Sequence, residues 1–530
     1  MITTNDLLTR AIALLQDGRL DSAETLFRLL LVHIPDHADG LHLYGVLMRR
    51  RGEHDRAAAL MRRALRSNPQ LGVPHINLGL LHFDVGQVDA AEFHLRQMLV
   101  ADPAYTLARA RLANLLVGRG ALDEAETLFR RMQADGTADE RTPLALERCA
   151  TYRGILAAAG DRSLPEGLVV RGVYRDSSGY AYKTRQFVKH LVAAGVPVQL
   201  MDLLYQPVDR LPDSQLDPVL FTLDRPVRAR GVLQFTTPPV VERLPGLKTV
   251  NYSVIETTRV SRQWAEHSRR HDRVIVATQS SADAWRLAGC PADRVAICPE
   301  GVDPIDPAKV APTHLVDRHG RPSTGYTVRF LNVSDFNPRK NLVGLLRVWL
   351  RATRRDDDAV LILKVGKGNA TSGAFVELFS GVARALGVSP DQAAPILLVD
   401  ATMSDEGMMS LFATATHYWS MSHGEGWDLP MTQAGAMGLT LLAPRHSAYT
   451  AYLDDGNAHL IPSPVVPAHG PYAGYEWWQP DEDLAVELVR QIIRTPVETR
   501  RSAREHLLRH FTWEQATRRL IDLLVEAGAL

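Results

Sequence analysis

The sequence predicts a solenoid of helical repeats followed by an α/β region of two doubly wound lobes with a cleft between them. Three observations carry this. Proline, alanine, glycine and aspartate each recur at a spacing of 34 through the first part of the chain. From Gly167 onward, short buried-strand patterns alternate with amphipathic helical ones. Two loops that follow such strands, 334–341 and 422–430, place charged side chains beside glycine or a helix start.

The chain has 530 residues, room for about three domains. Lys+Arg and Asp+Glu both number 60, so bulk charge points to no nucleic-acid partner. Hydrophobic residues make up 45%, the level of a globular protein with a core. Cys149, Cys290 and Cys298 form no Cys-x-x-Cys pair, which argues against a zinc site or a disulfide framework. The first residues lack the basic and then apolar pattern of a secretory signal. No apolar run reaches the roughly 18 residues of a membrane span. The expectation is a cytoplasmic protein with no transmembrane segment and no metal.

Pro35, Pro69 and Pro103 are in register, as are Gly18, Gly52, Gly86 and Gly120. Ala23, Ala57, Ala91 and Ala125 keep the same phase, and so do Asp21, Asp55, Asp89 and Asp123. A 34-residue period with a small residue in each helix marks tetratricopeptide repeats. Gly45 and Gly79, flanked by Ala11 and Ala113, take the small first-helix position. Phe27, Met61, Leu95 and Phe129 take the large second-helix position. Each repeat buries its apolar face only on its neighbours, so the array serves either protein–protein contact or self-association as a homo-oligomer. The signal fades after Phe129. Residues 138–166 are expected to hold a capping helix, Leu144 to Ala159, and a linker ending at Pro165.

From Gly167 the period changes. Leu168-Val169-Val170 reads as a buried strand, followed by the loop 175–181 with Gly179 and a helix from about Lys183 to Ala194. This is the opening unit of a doubly wound sheet, whose ligands bind at the carboxyl ends of the strands. Further strands are expected at 198–203, 231–236, 248–254, 273–277 and 294–298. Glu256 stands near the end of one of them, either at the cleft edge or as a capping or salt-bridged residue. Residues 304–327, rich in proline, glycine and polar side chains, read as a linker.

The second lobe opens with a strand over 328–333. Ser334 to Asn341 and an apolar-periodic helix follow. Arg339 and Lys340 beside a helix N-terminus offer fixed charge together with free N–H groups, the chemistry that holds phosphate oxygens. Strands are expected at 361–365 and 396–399, with Gly366-Lys367-Gly368 as a flexible turn. Thr416 to Met421 leads into Ser422-His423-Gly424-Glu425-Gly426-Trp427-Asp428-Leu429-Pro430, and an amphipathic helix follows. Gly424 and Gly426 let backbone approach a ligand closely on either side of the Glu425 carboxylate. Pro430 suits a first helical turn. After a strand at 439–443, His446 reads as a plain surface residue.

These segments resemble retaining glycosyltransferases of the two-lobed GT-B fold, family 4-like. That family carries a Glu-Gly-Phe-Gly-Leu-Pro signature, an Arg-(x)5-Lys pair and a Pro-x-Gly-x-Asp element, the last matched by Pro299 to Asp303. The resemblance spans about residues 168–525 and implies an α-solenoid joined to two Rossmann-like lobes. It divides the chain into 1–137 (four repeats), 138–166 (cap and linker), 167–312 (acceptor lobe), 313–327 (interlobe linker), 328–480 (donor lobe) and 481–530 (helices crossing back to the first lobe). It implies that Glu425 orients the donor sugar and that Lys340 binds the diphosphate. The family's arginine position holds Ser334, so Arg339 or a first-lobe residue is expected to supply part of that charge. The second glutamate position, which binds the ribose, holds Gln433, whose amide can still bond two hydroxyls. Gly179 and Ser447 lie in loops equivalent to donor- or acceptor-contacting ones. Glu256 can substitute for a histidine that approaches the sugar in many relatives, and Glu300 stands where many carry histidine.

The implied activity is transfer of a sugar from a nucleotide-sugar donor, such as a UDP- or GDP-sugar, to an acceptor hydroxyl, with retention and without a metal or other cofactor. The acceptor is a protein recruited by the repeats, or a glycan, with the repeats docking on an assembly complex. A third reading is a non-catalytic scaffold whose transferase module has decayed, for which Ser334 and Gln433 are the evidence.

Overall fold

The computed structural model describes residues 3–203, 210–366 and 372–530, so Lys367 and Gly368 of the expected turn lie outside the described residues. Helix pairs follow the 34-residue period: Thr4–Gln16 with Leu20–His33, Ala38–Arg50 with His54–Ser67, Val73–Asp84 with Val88–Ala101, and Thr106–Gly118 with Leu122–Ala134. A longer helix, Thr142–Gly160, comes next. The recurrent residues each have a local reason. Gly18, Gly52, Gly86 and Gly120 turn the chain between paired helices at φ between 73° and 78°, a region that favours glycine. The residue before each recurrent proline, Ile34, Asn68 or Asp102, is extended and ends its helix. Ala23, Ala57, Ala91 and Ala125 are fully buried at the helix crossings. A Cβ on Gly45 would meet the Met61 Cγ at 2.8 Å, so the two helices of that repeat need the small residue.

The aspartate period joins successive repeats. Arg51 pairs with Asp21 at 2.5 Å, Arg119 with Asp89 at 2.7 Å and Arg153 with Asp123 at 2.6 Å. Where the third repeat has Val85 instead of arginine, Asp55 meets Arg262 at 3.9 Å. Such exposed pairs add little individually. Stability comes from the buried stripe of Phe27, Tyr44, Leu47, Met61 and Leu78. Phe27→Ala should therefore cost about 3–5 kcal/mol, with early protease cleavage confined to the first two repeats.

This compact unit comprises residues 1–157 together with 239–245 and 262–270. The second unit holds two parallel sheets. Strands β1 (Glu166–Gly172), β2 (Val198–Asp202), β3 (Arg228–Phe235), β4 (Lys248–Tyr252), β5 (Arg273–Val276) and β6 (Val295–Ile297) form the order β2-β1-β3-β4-β5-β6. Strands β7 (Val328–Ser334), β8 (Ala359–Val365), β9 (Ile396–Val399), β10 (His417–Trp419), β11 (Thr440–Pro444) and β12 (His459–Ile461) form the order β12-β11-β10-β7-β8-β9. Both are doubly wound sheets with a topological switch point, the two-lobed GT-B arrangement. Their strands are buried apolar runs, as parallel sheets require: β8 is buried at every position. A short antiparallel pair, β13 (Val465–Pro467) with β14 (Glu476–Trp478), is an addition that no alternating pattern announced.

The C-terminal segment divides between the lobes. Glu482–Arg494 stays on the second lobe against Leu342–Ala352, where Arg347 pairs with Glu482. Trp513–Glu526 packs on the first-lobe helix Gly179–Ala193, with the Trp513 and Phe187 rings 5.2 Å apart at 81°. Arg504 bridges the lobes between the two, donating to the carbonyls of Ala436 and Ile305.

Candidate active site

The carboxyl ends of β1, β4 and β6 face those of β7, β8 and β10 across a cavity of about 320 Å3. Lys340 and Glu425 lie in its wall, joined at 2.7 Å. Arg339 reaches the same Glu425 oxygen at 2.9 Å, Glu256 at 2.8 Å and the Gly424 carbonyl at 2.6 Å. The Arg339–Glu256 pair crosses the lobes, since Glu256 follows β4 of the first sheet. Burial acts to raise the Glu425 carboxyl, but Arg339 and Lys340 outweigh it and hold it low, so Glu425 is ionised. Burial dominates at Glu256 and raises it despite Arg339.

Local geometry sets these positions. Pro338–Lys340 is a single tight turn, and Asn341 at φ 51° caps the helix that begins at Leu342 by accepting from the Gly344 N–H at 3.0 Å. The two cations thus precede the helix instead of forming its first turn. Asp428, at φ 67°, caps the following signature helix Leu429–Ala436, with Pro430 in its first turn. The Tyr449 hydroxyl donates to Asp428 at 2.7 Å. Burial, reinforced by the Glu425 charge, pushes Asp428 up to about 6. A carboxyl raised from about 4 in the unfolded chain binds more protons when folded between those values, so stability falls as pH rises across that window. Asp428→Asn should flatten this slope, read as the thermal midpoint between pH 4 and about 6.5.

The structure gathers most of the sequence-predicted residues in the cavity wall: Glu425, Lys340, Arg339, Glu256, Gln433, Ser334, Gly179 and Gly426. Ser334 donates to Asn332 at 2.8 Å. Gly424 and Ser447 stand outside that wall. A Cβ on Gly424 would lie 1.9 Å from the Glu256 carbonyl oxygen, so its close approach is to the opposing lobe's backbone and not to a ligand. Ser447 accepts from the Glu425 N–H at 3.3 Å and so fixes the glutamate from behind. His446 is no surface residue. It is buried, bonded through Nε2 to the Ser422 carbonyl at 2.8 Å and stacked on Trp478 with centroids 4.9 Å apart. The β13–β14 pair supplies that ring, which a local reading of 445–449 does not contain.

The wall also holds Lys364, Lys183 and Asp428, which the sequence pattern does not mark as site residues. Lys364 sits on β8 in register with Val333, next to the Ser334 position that lacks arginine. A lysine inside an otherwise apolar strand, Leu361 to Val365, was the available signal for it. Among the described residues no group of three or more His, Cys, Asp or Glu side chains is placed to hold a metal ion, and no helix is long and apolar enough to cross a membrane.

Tetratricopeptide-repeat family models match residues 8–71 and 82–142. No curated protein matches the chain. Among solved structures it is similar to HepE of Anabaena in complex with UDP and glucose, at 12% identity over 68% of this chain and 100% of that one, with a TM-score of 0.47. It is also similar to sucrose-phosphate synthase from Thermosynechococcus elongatus, at 14% identity over 68% and 98% of the two chains, with a TM-score of 0.49. The O-GlcNAc transferase of Thermobaculum terrenum matches 99% of this chain and 97% of its own at 14% identity, with a TM-score of 0.40.

Proposed function

We propose that this chain is a glycosyltransferase that moves a sugar from a nucleotide-sugar donor to an acceptor hydroxyl, with retention and without a metal. The observation that carries the reading is the convergence of Lys340, Arg339 and Glu425 in a cleft between two doubly wound lobes. Cleaving a sugar from a diphosphate builds negative charge on the leaving oxygens, and a fixed cation in a water-poor site stabilises it most. Lys340 is the residue for that role. Lys364, another cation of the wall, takes the place left by Ser334. Arg339, committed to Glu256 and Glu425, positions both carboxylates. Glu425 accepts from sugar hydroxyls, and Gln433 bonds the ribose. The acceptor hydroxyl attacks from the face the diphosphate leaves, and its proton passes to a leaving phosphate oxygen.

The repeats supply a surface for a protein acceptor or partner. The buried thiols of Cys149 and Cys298 suit a reducing, cytoplasmic setting. The intact Lys340–Glu425 pair favours an enzyme over a decayed scaffold, because decay removes the pressure to keep a buried charge cluster.

Thermal unfolding with UDP, GDP, UDP-glucose and GDP-mannose tests the reading. One nucleotide series should raise the midpoint, and Lys340→Ala should abolish the rise and lower diphosphate release by roughly 100- to 1,000-fold. No rise with any of the four overturns the proposal.

A further inference from the structure

A second buried ion pair faces the same cavity from the first lobe, and the donor chemistry does not use it. The Lys183 Nζ lies 3.3 Å from Glu300 Oε1, and the two side chains are only 2% and 3% exposed. Both lie in the cavity wall. The Lys183 ammonium is bracketed by the rings of Tyr180 and Tyr252, with centroids at 4.4 and 4.5 Å. Its helix is pinned by the returning Trp513.

Glu300 is fixed from the other side. A Cβ on the adjacent Gly301 would lie 2.4 Å from the Trp513 N, so the C-terminal segment packs directly on this backbone. Val302 donates to the Phe511 carbonyl at 2.8 Å, and Trp513 donates back to Val302 at 3.3 Å. The Tyr252 hydroxyl donates to the Cys298 carbonyl at 2.5 Å. Glu300 is therefore a rigid carboxylate at the cleft, held by two separate parts of the chain.

Stability does not account for it. Burying a lysine and a glutamate together costs desolvation that their attraction rarely exceeds, and an apolar pair of similar volume is often equally stable. Burial works on both members toward neutrality, lowering Lys183 and raising Glu300, and each opposes the shift of the other. Groups displaced in this way, with a specific partner and in a cleft, mark functional sites.

We propose that Lys183 and Glu300 form the hydroxyl-orienting pair of the cleft: Glu300 accepts the hydrogen bond of the attacking hydroxyl, and Lys183 supports that carboxylate as a positioning residue. The inference rests on the transferase reading and adds the side of the reaction that reading leaves without residues. Glu300 takes no proton in the step; it fixes the direction from which the hydroxyl oxygen approaches the sugar carbon. The other titratable groups facing the pair are Glu256, Cys298, Tyr180, Tyr252 and Tyr452. Burial raises all five, so Glu256 is the other group that can contribute an acid limb.

The test is nucleoside diphosphate release from UDP-glucose and GDP-mannose in buffer, where water is the attacking hydroxyl, run alongside the nucleotide-induced thermal shift. Lys183→Met/Glu300→Leu should fold and keep the parent's nucleotide shift, while release falls by roughly 100-fold, the loss typical of a misplaced reactant. Glu300→Gln should lose a similar factor and change the acid limb of the rate profile, leaving only the part that Glu256 contributes. Release from the double variant within about threefold of the parent would assign the pair to structure and overturn the proposal. If the double variant does not fold, Glu300→Gln decides alone: parent-like release with an unchanged acid limb overturns it. A parent with no nucleotide shift overturns the transferase reading, and this role with it, whereas a shifted parent beside a fully active double variant overturns this role only.

Discussion

Glu425→Ala should destabilise the second unit by about 3–5 kcal/mol and abolish sugar transfer, while nucleoside diphosphate binds more tightly than to the parent. The stability loss follows from the charge count. Glu425 is 5% exposed and serves Arg339 and Lys340 at once. Its removal leaves buried Arg339 paired with Glu256 and part-buried Lys340 with Asp428 as the other carboxyl acting on it, and an under-compensated buried charge carries most of the cost of breaking such a pair. The gain in diphosphate affinity has the same origin. In the ligand-free protein Glu425 occupies the Lys340 ammonium, and on the proposed reading a diphosphate competes with that carboxylate for it. On the same reading turnover is lost because the sugar loses the carboxylate proposed to accept hydrogen bonds from its hydroxyls. Glu425→Gln keeps the hydrogen-bond geometry and should lose less stability. Chemical denaturation, titration with UDP and GDP, and diphosphate release separate the three effects. Equal stability of Glu425→Ala and the parent would show that the cluster is not load-sharing.

Gly424→Ala should lower diphosphate release at least 100-fold through the relation of the two lobes and not through the ligand. The added methyl would lie 1.9 Å from the Glu256 carbonyl oxygen and 3.0 Å from its carbonyl carbon. Both are backbone atoms of the loop after β4, and no side-chain rotation relieves the overlap. The Gly424 loop is equally fixed: its carbonyl receives Arg339, and the neighbouring His423 N–H donates to the Arg339 carbonyl at 2.7 Å. The lobes must therefore separate locally, which lengthens the Arg339–Glu256 contact. Small-angle scattering should show a larger radius of gyration, with overpacking costing about 1–3 kcal/mol. A variant with parent-like scattering and release would show that the lobes meet elsewhere during turnover.

Much of the architecture was legible because its causes are local or periodic. The turn glycines need positive φ, the buried alanines sit at helix crossings, and the prolines force an extended residue before them. Such constraints repeat wherever the repeat does. Strand runs such as Leu361 to Val365 announce burial on both faces. In the candidate site, Lys340 and Glu425 are marked by charge placed beside glycine or a helix start, a pattern that suits phosphate and polyol ligands.

Tertiary structure decided what local sequence does not encode: which distant residues meet. Gly424 faces the Glu256 backbone, a contact made only when two lobes approach. Arg339 resembled a diphosphate ligand by position, yet two carboxylates from separate lobes claim it. His446 is buried because the β13–β14 pair lays Trp478 over it. Lys183 and Glu300 read as a helix residue and a departure from a family pattern; their pairing exists only once β6, the first-lobe helix and the C-terminal segment pack together. The sequence by itself determined the element types, the repeat period and the charged loops, since propensity and hydrophobic period act over a few residues. The electrostatic partners that set each group's charge and availability depend on burial and on distances of a few ångströms across the fold, which only the packed chain defines.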